Sequence, residues 1–389
     1  MRKDLIPKFH EDLFICAQCA YCTTICEASA FTLWESSAPR GRMFALKEMI
    51  SGRLDSGPKI LDELSDSAFK CTLCGRCEAV CQTDIKLRDL WLDLRTELVN
   101  RGHFPKKLSL MRNGIEETGN VANYPNNERA SWADFLPDLP EEGLVKEKAE
   151  IVYFVGCMSS FSPAISSIPE SFAQILLHAN IDFTIMGEKE MCCTYPLIVG
   201  GFGQDEQLVQ SLRKKNVEAV KSTGAKMMVF TCPSCYLTWK EEYVEQFELD
   251  IELHHSTQFL RDLIKEGRLK INKTNEKVSY HDPCDLGRNS EEYKAPREIL
   301  KMIGADLREV DKNKNVAYCC GGGGDVEVYD PDLSTQMSSV AANAFDKTGA
   351  DITITACQQC KRTFQNTAKT IKSKMKYHDI SEFVLDNLS

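Results

Sequence analysis

Residues 16–26 read Cys-Ala-Gln-Cys-Ala-Tyr-Cys-Thr-Thr-Ile-Cys, and the spacing of these cysteines decides the fold of the N-terminal region. Two residues separate the first three cysteines, and three residues precede the fourth. The same spacing returns at residues 71–81, so that each cysteine of the second run lies 55 residues after its equivalent in the first. A repeat of this kind predicts two metal centres that are built in the same way.

The spacing is typical of ferredoxins that hold two [4Fe-4S] clusters, in which the fourth cysteine of each run binds the other cluster. We therefore predict one cubane cluster held by Cys16, Cys19, Cys22 and Cys81 and a second held by Cys71, Cys74, Cys77 and Cys26. The proline that usually follows the fourth cysteine is replaced by Glu27 and Gln82, which removes no ligand. Zinc sites made of Cys-x2-Cys pairs are the alternative, but zinc does not require the repeated run of four.

Composition and charge narrow the class of protein. The chain has 389 residues with 18 cysteines, and its net charge of −10 argues against nucleic acid as a partner. We see no secretory signal after Met1 and no apolar run near the ~20 residues of a membrane helix, so we predict no direct membrane insertion. In a cytoplasmic protein such cysteines indicate metal chemistry rather than disulfides.

The remaining N-terminal pattern predicts a helical domain and a linker. We place a helical ferredoxin-like domain at residues 1–100, with helices at Gly41–Ile50, Ile60–Leu64 and Leu87–Asn100. Residues 101–149 contain frequent glycine and proline and lose the apolar period, which predicts a linker. Trp132 and Phe135 are candidates to anchor this linker to a domain surface.

Five further cysteines occur twice in the rest of the chain. The first set is Cys157, Cys192, Cys193, Cys232 and Cys235, and the second is Cys284, Cys319, Cys320, Cys357 and Cys360. The offset between equivalent cysteines is 127 or 125 residues, which indicates a duplicated unit. We predict domains at residues 150–271 and 272–389.

Each copy alternates strand and helix signals, which predicts a parallel sheet covered by helices. The predicted strands are 150–155, 183–186, 227–230 and 251–254 in the first copy, and 278–280, 307–310 and 352–355 in the second. The fold class is therefore multidomain α+β, with a helical ferredoxin-like domain before two α/β, Rossmann-like repeats. Cysteines follow several of the strands, and ligands bind at the carboxyl edge of such sheets. We expect the two edges to face one another.

Other cofactor motifs are missing from the sequence. The run Gly321–Gly324 follows a cysteine pair and lets the backbone pass close to a bulky group, but no G-x-G-x-x-G or Gly-Lys motif occurs. We predict no flavin, NAD or haem in this chain. Five thiolates exceed what a cubane needs, which predicts an opened or expanded cluster in each repeat.

The pattern Cys…Cys-Cys…Cys-x2-Cys, found twice after a ferredoxin-type run, resembles the CCG domains of heterodisulfide reductase, and the domain order resembles the D subunit of that enzyme. The resemblance extends to motifs spread over most of the chain: Cys74-Gly-Arg-Cys77, Leu90-Trp91, Cys232-Pro-Ser-Cys235 and His281-Asp-Pro-Cys284. The first copy reads Cys192-Cys193-Thr194, so that it departs from the CCG triplet at the glycine.

This resemblance implies a noncubane [4Fe-4S] cluster on each five-cysteine set, and it accounts for all eighteen cysteines. The implied activity passes electrons from the two cubanes to the noncubane pair, which reduces or forms a disulfide in a shared cavity. A thiol or disulfide small molecule is then the substrate. His254, His281 and His378 are candidate proton donors, because imidazole titrates near neutrality.

The partner and the setting stay open at this stage. Electrons must come from or go to a redox partner, which is a flavoprotein, another iron–sulfur subunit or a membrane cytochrome b. We expect the protein in the cytoplasm, either free or held at the inner face of the membrane by that partner. The alternative function is an electron-transfer subunit of the glycolate/lactate oxidation or benzoyl-CoA reductase type, without disulfide chemistry. A zinc-binding scaffold is the non-enzymatic alternative.

Overall fold

The computed structural model describes residues 4–389 of the chain. The prediction that no secretory signal is present depends partly on Met1–Lys3, which lie outside the described residues. Within residues 4–389, none of the helices combines the length and the apolar character that a membrane span requires.

The N-terminal domain is helical, as predicted. Pro39 and Pro58 stand at the first position of two of its helices, where their fixed backbone angle suits a helix start. Leu90, Trp91 and Leu94 fall on one face of a third helix and are buried in the domain core. The helices are α1 (His10–Ile15), α2 (Tyr21–Thr24), α3 (Glu27–Thr32), α4 (Pro39–Ile50), α5 (Pro58–Phe69), α6 (Arg76–Ala79) and α7 (Leu87–Asn100).

The segment predicted as a linker contains a helix that the sequence pattern did not predict, α8 (Lys106–Thr118). Gly114 lies inside this helix, and its presence hid the apolar period. Leu108 and Ile115 are seven residues apart on one face, and both are fully buried. Of the two candidate anchors, Trp132 is buried, whereas Phe135 is 86% exposed and anchors nothing.

The first repeat is a parallel four-stranded sheet with the order β2-β1-β3-β4. Its strands are β1 (Ile151–Phe154), β2 (Phe183–Ile185), β3 (Met227–Phe230) and β4 (Glu252–His255). Its helices are α9 (Cys157–Phe161), α10 (Ser167–His178), α11 (Tyr195–Val199), α12 (Glu206–Thr223), α13 (Pro233–Thr238) and α14 (Ser256–Lys265), and a short π-helix follows α13. Apolar, partly β-branched runs form β1, β2 and β3, whereas β4 reads Glu-Leu-His-His. All four strands lie where the sequence predicted them.

The second repeat has the same topology, with the order β6-β5-β7-β8 and all strands parallel. Its strands are β5 (Lys277–Tyr280), β6 (Asp306–Leu307), β7 (Ile352–Thr355) and β8 (Lys376–Asp379). Its helices are α15 (Lys294–Ile303), α16 (Val326–Tyr329), α17 (Pro331–Asp346), α18 (Gln358–Ile371) and α19 (Ile380–Asp386). Strand β8 and helix α19 were not predicted. The two parallel sheets confirm the mixed α/β class, while the closer Rossmann-like description stays a prediction.

The two repeats share one hydrophobic core. Side chains alternate between the faces of a strand, and one face of each sheet contributes Tyr153, Val229, Tyr280 and Ile354 to this common core. Helices α10 and α14 of the first repeat pack on α19 and α15 of the second. The repeats are therefore held at a fixed distance from one another.

A single buried arginine joins all three domains. Arg95, on α7, is fully buried, and its guanidinium hydrogen atoms point at main-chain carbonyl groups. Nη1 donates to Val199 O in the first repeat (2.6 Å) and to Gly324 O in the second (3.0 Å). Nε and Nη2 donate to Ala68 O (3.1 and 2.9 Å), and Nη2 also donates to Cys71 O.

We expect Arg95→Met to destabilise the whole protein rather than one domain. The methionine fills much of the space but leaves the carbonyl oxygens of Cys71, Val199 and Gly324 without their donor, whereas Ala68 O keeps a hydrogen bond from the backbone N–H of Cys71. Hydrogen bonds from a charged donor contribute about 1.5–3 kcal/mol each. A loss of about 3 kcal/mol or more should appear as a lower midpoint of anaerobic thermal unfolding. The control is Arg53→Met, which removes a surface ion pair with Glu48 and should leave the midpoint unchanged. An unchanged midpoint in Arg95→Met would show that the domains do not depend on this side chain.

Candidate redox site

The first ferredoxin-type set surrounds one void in the N-terminal domain. Cys16, Cys19, Cys22 and Cys81 all line it, and Cys19 is exposed on the outer side. Burial, and then the nearby thiols of Cys16, Cys19 and Cys81, raise the pKa of Cys22 to about 11. The structure thus brings together the four cysteines that the spacing grouped.

The second ferredoxin-type set surrounds a deeper void. Cys26, Cys71, Cys74 and Cys77 line it together with Trp91 and Met337. Burial raises the pKa of Cys26 to about 11, against the opposing effect of Arg42 and with a further contribution from Cys71. Met337 belongs to the second repeat, so this void lies where the N-terminal domain meets that repeat.

Glu27 explains the departure from proline after Cys26. Its carboxylate forms a buried ion pair with Arg76, and Oε1 lies 3.4 Å from the backbone N–H of Cys319, which donates to it. The residue therefore links the second ferredoxin-type set to the cysteine pair of the second repeat. Proline could not make these contacts.

A cavity of about 160 Å³ lies between the carboxyl edges of the two sheets. Nine cysteines from both repeats line it: Cys157, Cys192, Cys193, Cys232, Cys235, Cys284, Cys320, Cys357 and Cys360. The tenth, Cys319, lies behind them toward the N-terminal domain, with its Sγ 3.2 Å from Thr72 Oγ1. The two edges face one another, as the strand positions predicted.

A buried ion pair supports the first five-cysteine set. The Arg129 guanidinium lies 2.8 Å from Glu190 Oε1 and reaches the Cys157 sulfur at 3.4 Å. Glu190 also accepts the backbone N–H groups of Val155 (3.0 Å) and Gly156 (2.9 Å). Burial raises the pKa of Glu190 to about 7. Arg129 comes from the predicted linker, where no sequence signal marks it, whereas Glu190 stands two residues before the Cys192-Cys193 pair.

In the first copy, Thr194 has the backbone conformation that glycine has at the equivalent position of the second copy. Thr194 has a φ of +76°, close to the +82° of its equivalent Gly321. A β-branched residue rarely adopts this left-handed conformation, and here Arg213 Nε donates a hydrogen bond of 3.2 Å to the Thr194 hydroxyl. The chain path after both cysteine pairs is therefore the same in spite of the substitution.

The glycine run serves the domain interface as well as the cavity. A Cβ atom on Gly323 would lie 2.8 Å from the carbonyl oxygen of Thr72, in the loop of the second ferredoxin-type set. The sequence pattern led us to expect these glycines to approach a cluster. At Gly323, the contact that leaves no room for a Cβ atom is instead the close approach of two backbones.

Each Cys-x2-Cys segment forms hydrogen bonds with the opposite repeat. Ser234 Oγ, between Cys232 and Cys235, donates to Asp285 Oδ2 at 2.6 Å. Gln358 Nε2, between Cys357 and Cys360, donates to Val155 O at 2.9 Å and to Thr231 Oγ1 at 3.0 Å. These bonds hold the two cysteine sets in a fixed relation. The sequence signal for these hydrogen bonds is a polar residue between the two cysteines of each motif.

The three candidate histidines do not line the cavity. His254 and His378 lie on β4 and β8, where each side chain is 29% exposed. His281 is buried against Phe345 and Phe364, and its ring lies within 4.8 Å of the sulfurs of Cys320 and Cys360. Burial lowers the pKa of His281 to about 3, which keeps the ring neutral. Their role as proton donors stays a prediction.

The rest of the cavity lining comes from residues that the sequence motifs did not mark. Met111, Val121, Met158 and Val328 form an apolar wall, and the first two belong to the predicted linker. The charged residues of the lining are Asp285, Asp325, Glu327 and Arg362.

The donor chemistry of all four sites fits iron–sulfur clusters. Two voids are each enclosed by four thiols, which is the ligand set of a [4Fe-4S] cluster, and the cavity is lined by thiols from both five-cysteine sets. Burial also raises the pKa of Cys77 and Cys284 well above its ordinary value. Such thiols stay protonated unless a metal replaces the proton.

Family models match three segments of the chain. Residues 12–85 match the 4Fe-4S dicluster domain, and residues 151–240 and 278–365 each match the cysteine-rich domain CCG. These are the segments that carry the cysteine sets of the two voids and the cavity.

Several curated proteins are similar over most of the chain. The D subunit of the dihydromethanophenazine:CoB–CoM heterodisulfide reductase of Methanosarcina barkeri is 32% identical, over 97% of this chain and 94% of its own. The probable iron–sulfur-binding oxidoreductase FadF of Bacillus subtilis is 27% identical, over 97% of this chain and 60% of its own. The EtfAB:quinone oxidoreductase of Syntrophomonas wolfei is 31% identical, over 67% of this chain and 37% of its own.

Among solved structures, a glutamate racemase of Bacillus anthracis aligns with 62% of this chain and 80% of its own at 16% identity, but its TM-score of 0.32 is too low to bear on the fold. The sequence similarity, the matched domains and the order of the cysteine sets agree. The chain is therefore an iron–sulfur protein of the oxidoreductase family that includes the D subunit of heterodisulfide reductase.

Proposed function

We propose that this protein is an iron–sulfur oxidoreductase subunit that reduces, or in reverse forms, a small-molecule disulfide in the cavity between its two repeats. The observation that carries the proposal is that one cavity is lined by thiols from two complete five-cysteine sets. Reduction adds two electrons and two protons to the substrate, breaks its S–S bond and releases two thiols.

The eighteen cysteines would hold four clusters. Cys16, Cys19, Cys22 and Cys81 would hold one cubane, and Cys26, Cys71, Cys74 and Cys77 the other. The five-cysteine sets that begin at Cys157 and Cys284 would each hold a noncubane [4Fe-4S] cluster. When bound, the clusters would supply one-electron transfer, and the noncubane pair would also supply sites at which substrate sulfur binds.

The chain's own residues give the cavity its geometry. The hydrogen bonds from Ser234 and Gln358 fix the distance between the two cysteine sets. Both sulfur atoms of one S–S bond can therefore be contacted at the same time, one from each set. The apolar wall excludes water from that bond, and exclusion of water strengthens every charge interaction inside the site.

Electrons enter the cavity on the side of the second repeat. A hydrogen bond with the Cys319 thiol, followed by burial, raises the pKa of Cys74, and Thr72 Oγ1 lies 3.2 Å from Cys319 Sγ. The second ferredoxin-type set therefore touches the second five-cysteine set directly. At the other end of the domain, exposed Cys19 marks the side that faces a redox partner.

That partner is a flavoprotein, another iron–sulfur subunit or a membrane cytochrome b. We place the protein in the cytoplasm, free or held at the inner face of the membrane through the partner. Protons must reach two product thiols, and His254, His281 and His378 remain the proposed donors. Since none of the three lines the cavity, they would act through intervening groups or water.

The alternative function is electron transfer within a larger flavin- or membrane-linked complex, without disulfide chemistry. The similarity to FadF and to an EtfAB:quinone oxidoreductase favours it. In that case the cavity thiols would hold clusters that only relay electrons.

We expect the protein purified without oxygen to contain about sixteen iron atoms per chain, since four [4Fe-4S] clusters are proposed. Iron and acid-labile sulfide should be measured together with zinc by elemental analysis. In Cys193→Ser, the iron content should fall by about four atoms, while the ferredoxin-type signals in electron paramagnetic resonance stay unchanged. Near-stoichiometric zinc with little iron would end the cluster assignment.

We expect the loaded protein to consume two equivalents of a reduced one-electron dye for each disulfide that it cleaves, because each S–S bond takes two electrons. Dye absorbance and released thiols give the two rates. Cys232→Ser and Cys357→Ser should each abolish turnover, whereas the ferredoxin-type signals serve as the internal control for folding. If the fully loaded wild type oxidises or reduces a flavoprotein but cleaves no disulfide, the alternative function is correct.

A further inference from the structure

The two repeats differ in an aromatic ring that lies beside their cysteine sets. The offset of 127 residues that relates Cys157 to Cys284 also relates Phe154 to His281. Phe154 is the last residue of β1, and His281 directly follows β5. The second copy therefore has an imidazole where the first copy has a phenyl ring.

The two rings occupy equivalent places in their repeats. Phe154 packs edge-on against Trp239, with ring centroids 5.7 Å apart, and His281 packs edge-on against Phe364, with ring centroids 4.8 Å apart. Phe364 is itself the equivalent of Trp239, 125 residues further along the chain. Phe154 and His281 are both buried. Each ring is thus held in place by the same kind of contact.

Each ring also lies beside the same two cysteines of its set. Phe154 belongs to a hydrophobic cluster that includes Cys193 and Cys235. The equivalents of these cysteines are Cys320 and Cys360, and a ring nitrogen of His281 lies within 4.8 Å of both their sulfur atoms. A phenyl ring can only pack there, whereas an imidazole carries at least one N–H in either protonation state.

Other donors lie near the two sets, but they act at different ligands. Arg129 Nη2 reaches the Cys157 sulfur at 3.4 Å, and Thr72 Oγ1 lies 3.2 Å from Cys319 Sγ. Arg288 donates to the carbonyl oxygens of Cys74 (2.6 Å) and Ala317 (3.0 Å). The place of His281, at Cys320 and Cys360, is separate from all of these.

A donor at this place has a defined effect on an iron–sulfur site. Reduction adds negative charge to the cluster and its sulfur ligands, and hydrogen bonds to those sulfurs are among the factors that set the reduction potential. A donor stabilises the reduced form, and the effect is larger in a buried site, where charges are poorly screened. Five thiolates already exceed what four iron atoms need, so the ring is placed to donate to sulfur rather than to bind iron.

We propose that His281 donates its ring N–H to the sulfur of Cys320 or Cys360 when these residues bind a cluster, and that it thereby raises the reduction potential of the second five-cysteine site. His281 is then a positioning residue that acts through these sulfurs. Because Cys319 of this set lies against the loop of Thr72, a higher potential favours the passage of an electron from the neighbouring ferredoxin-type set. The inference rests on the clusters of the proposed function, and it holds whether the cavity cleaves a disulfide or only relays electrons.

The test exchanges the two rings in the loaded, full-length protein. In His281→Phe, the midpoint potential of one of the two five-cysteine sites should fall by about 59 mV, which is a tenfold change in a one-electron equilibrium constant. In Phe154→His, the potential of the other site should rise. Potentiometric titration followed by Mössbauer spectroscopy of isotopically enriched iron gives both values, and the two ferredoxin-type clusters, whose potentials should not change, are the internal control.

A conservative variant and isotope labelling separate this role from simple packing. His281→Gln keeps an N–H donor of similar reach, so its potential should stay closer to the wild-type value than that of His281→Phe. In protein made with nitrogen-labelled histidine, pulsed electron paramagnetic resonance should detect a weak nitrogen coupling that disappears in His281→Phe. Absence of the coupling, or the strong coupling of a nitrogen bound to iron, would each overturn the inference.

The remaining outcomes are equally decisive. Unchanged potentials in His281→Phe at full iron content would overturn the inference, and slower turnover with unchanged potentials would assign His281 to proton transfer instead. Loss of iron from His281→Phe and His281→Gln alike would show that the ring only maintains the structure of the site. If the potentials shift as expected but no disulfide is cleaved, the proposed disulfide chemistry fails and the role of His281 stands.

Discussion

The buried guanidinium of Arg95 is the constraint on which the arrangement of the three domains depends. Arginine offers five N–H donors in a rigid plane and stays charged in a protein interior, and here those donors reach carbonyls in the N-terminal domain and both repeats. Burying a charge is costly unless it is well hydrogen-bonded. The carbonyls of Cys71 and Gly324 are therefore held together, and these belong to the loops that bring the ferredoxin-type cysteines against the second repeat.

The duplication gives the site its approximate symmetry, and the N-terminal segments break it. Both sheets have the same strand order, and both Cys-x2-Cys segments hydrogen-bond across to the other copy. The surroundings of the two cysteine sets differ, however. The first set is held by Arg129 from the segment after the ferredoxin-like domain, with Glu190, while the second set contacts Thr72 and Glu27 within that domain. Two equivalent sites thereby acquire different surroundings, since one lies beside the ferredoxin-type cysteines and the other does not.

The sequence predicted those parts of the structure that are written in local patterns. Cysteine spacing grouped Cys16 with Cys81 and Cys26 with Cys71, and the structure brings both groups together. Alternating strand and helix signals predicted the parallel sheets, because each element has its own period. Helix α8 was not predicted because Gly114 interrupts its apolar pattern. The roles of Arg95, Arg129 and Gln358 could not be predicted for a different reason. Their hydrogen-bond partners lie far away along the chain, and no local period marks such a residue.

The residues that bind clusters are marked by local sequence motifs, whereas the residues that determine the substrate specificity of the cavity are not. The cysteines that can hold clusters sit in short motifs, in the helical domain and, within each repeat, beyond the ends of strands. The residues that shape the cavity come from elsewhere: Met111 and Val121 from the segment before the repeats, and Glu327 with its neighbours from α16 and α18. A change in these segments alters the charge and width of the cavity without moving a thiol. The substrate of this chain therefore has to be inferred from its own cavity lining and not from its cysteine motifs.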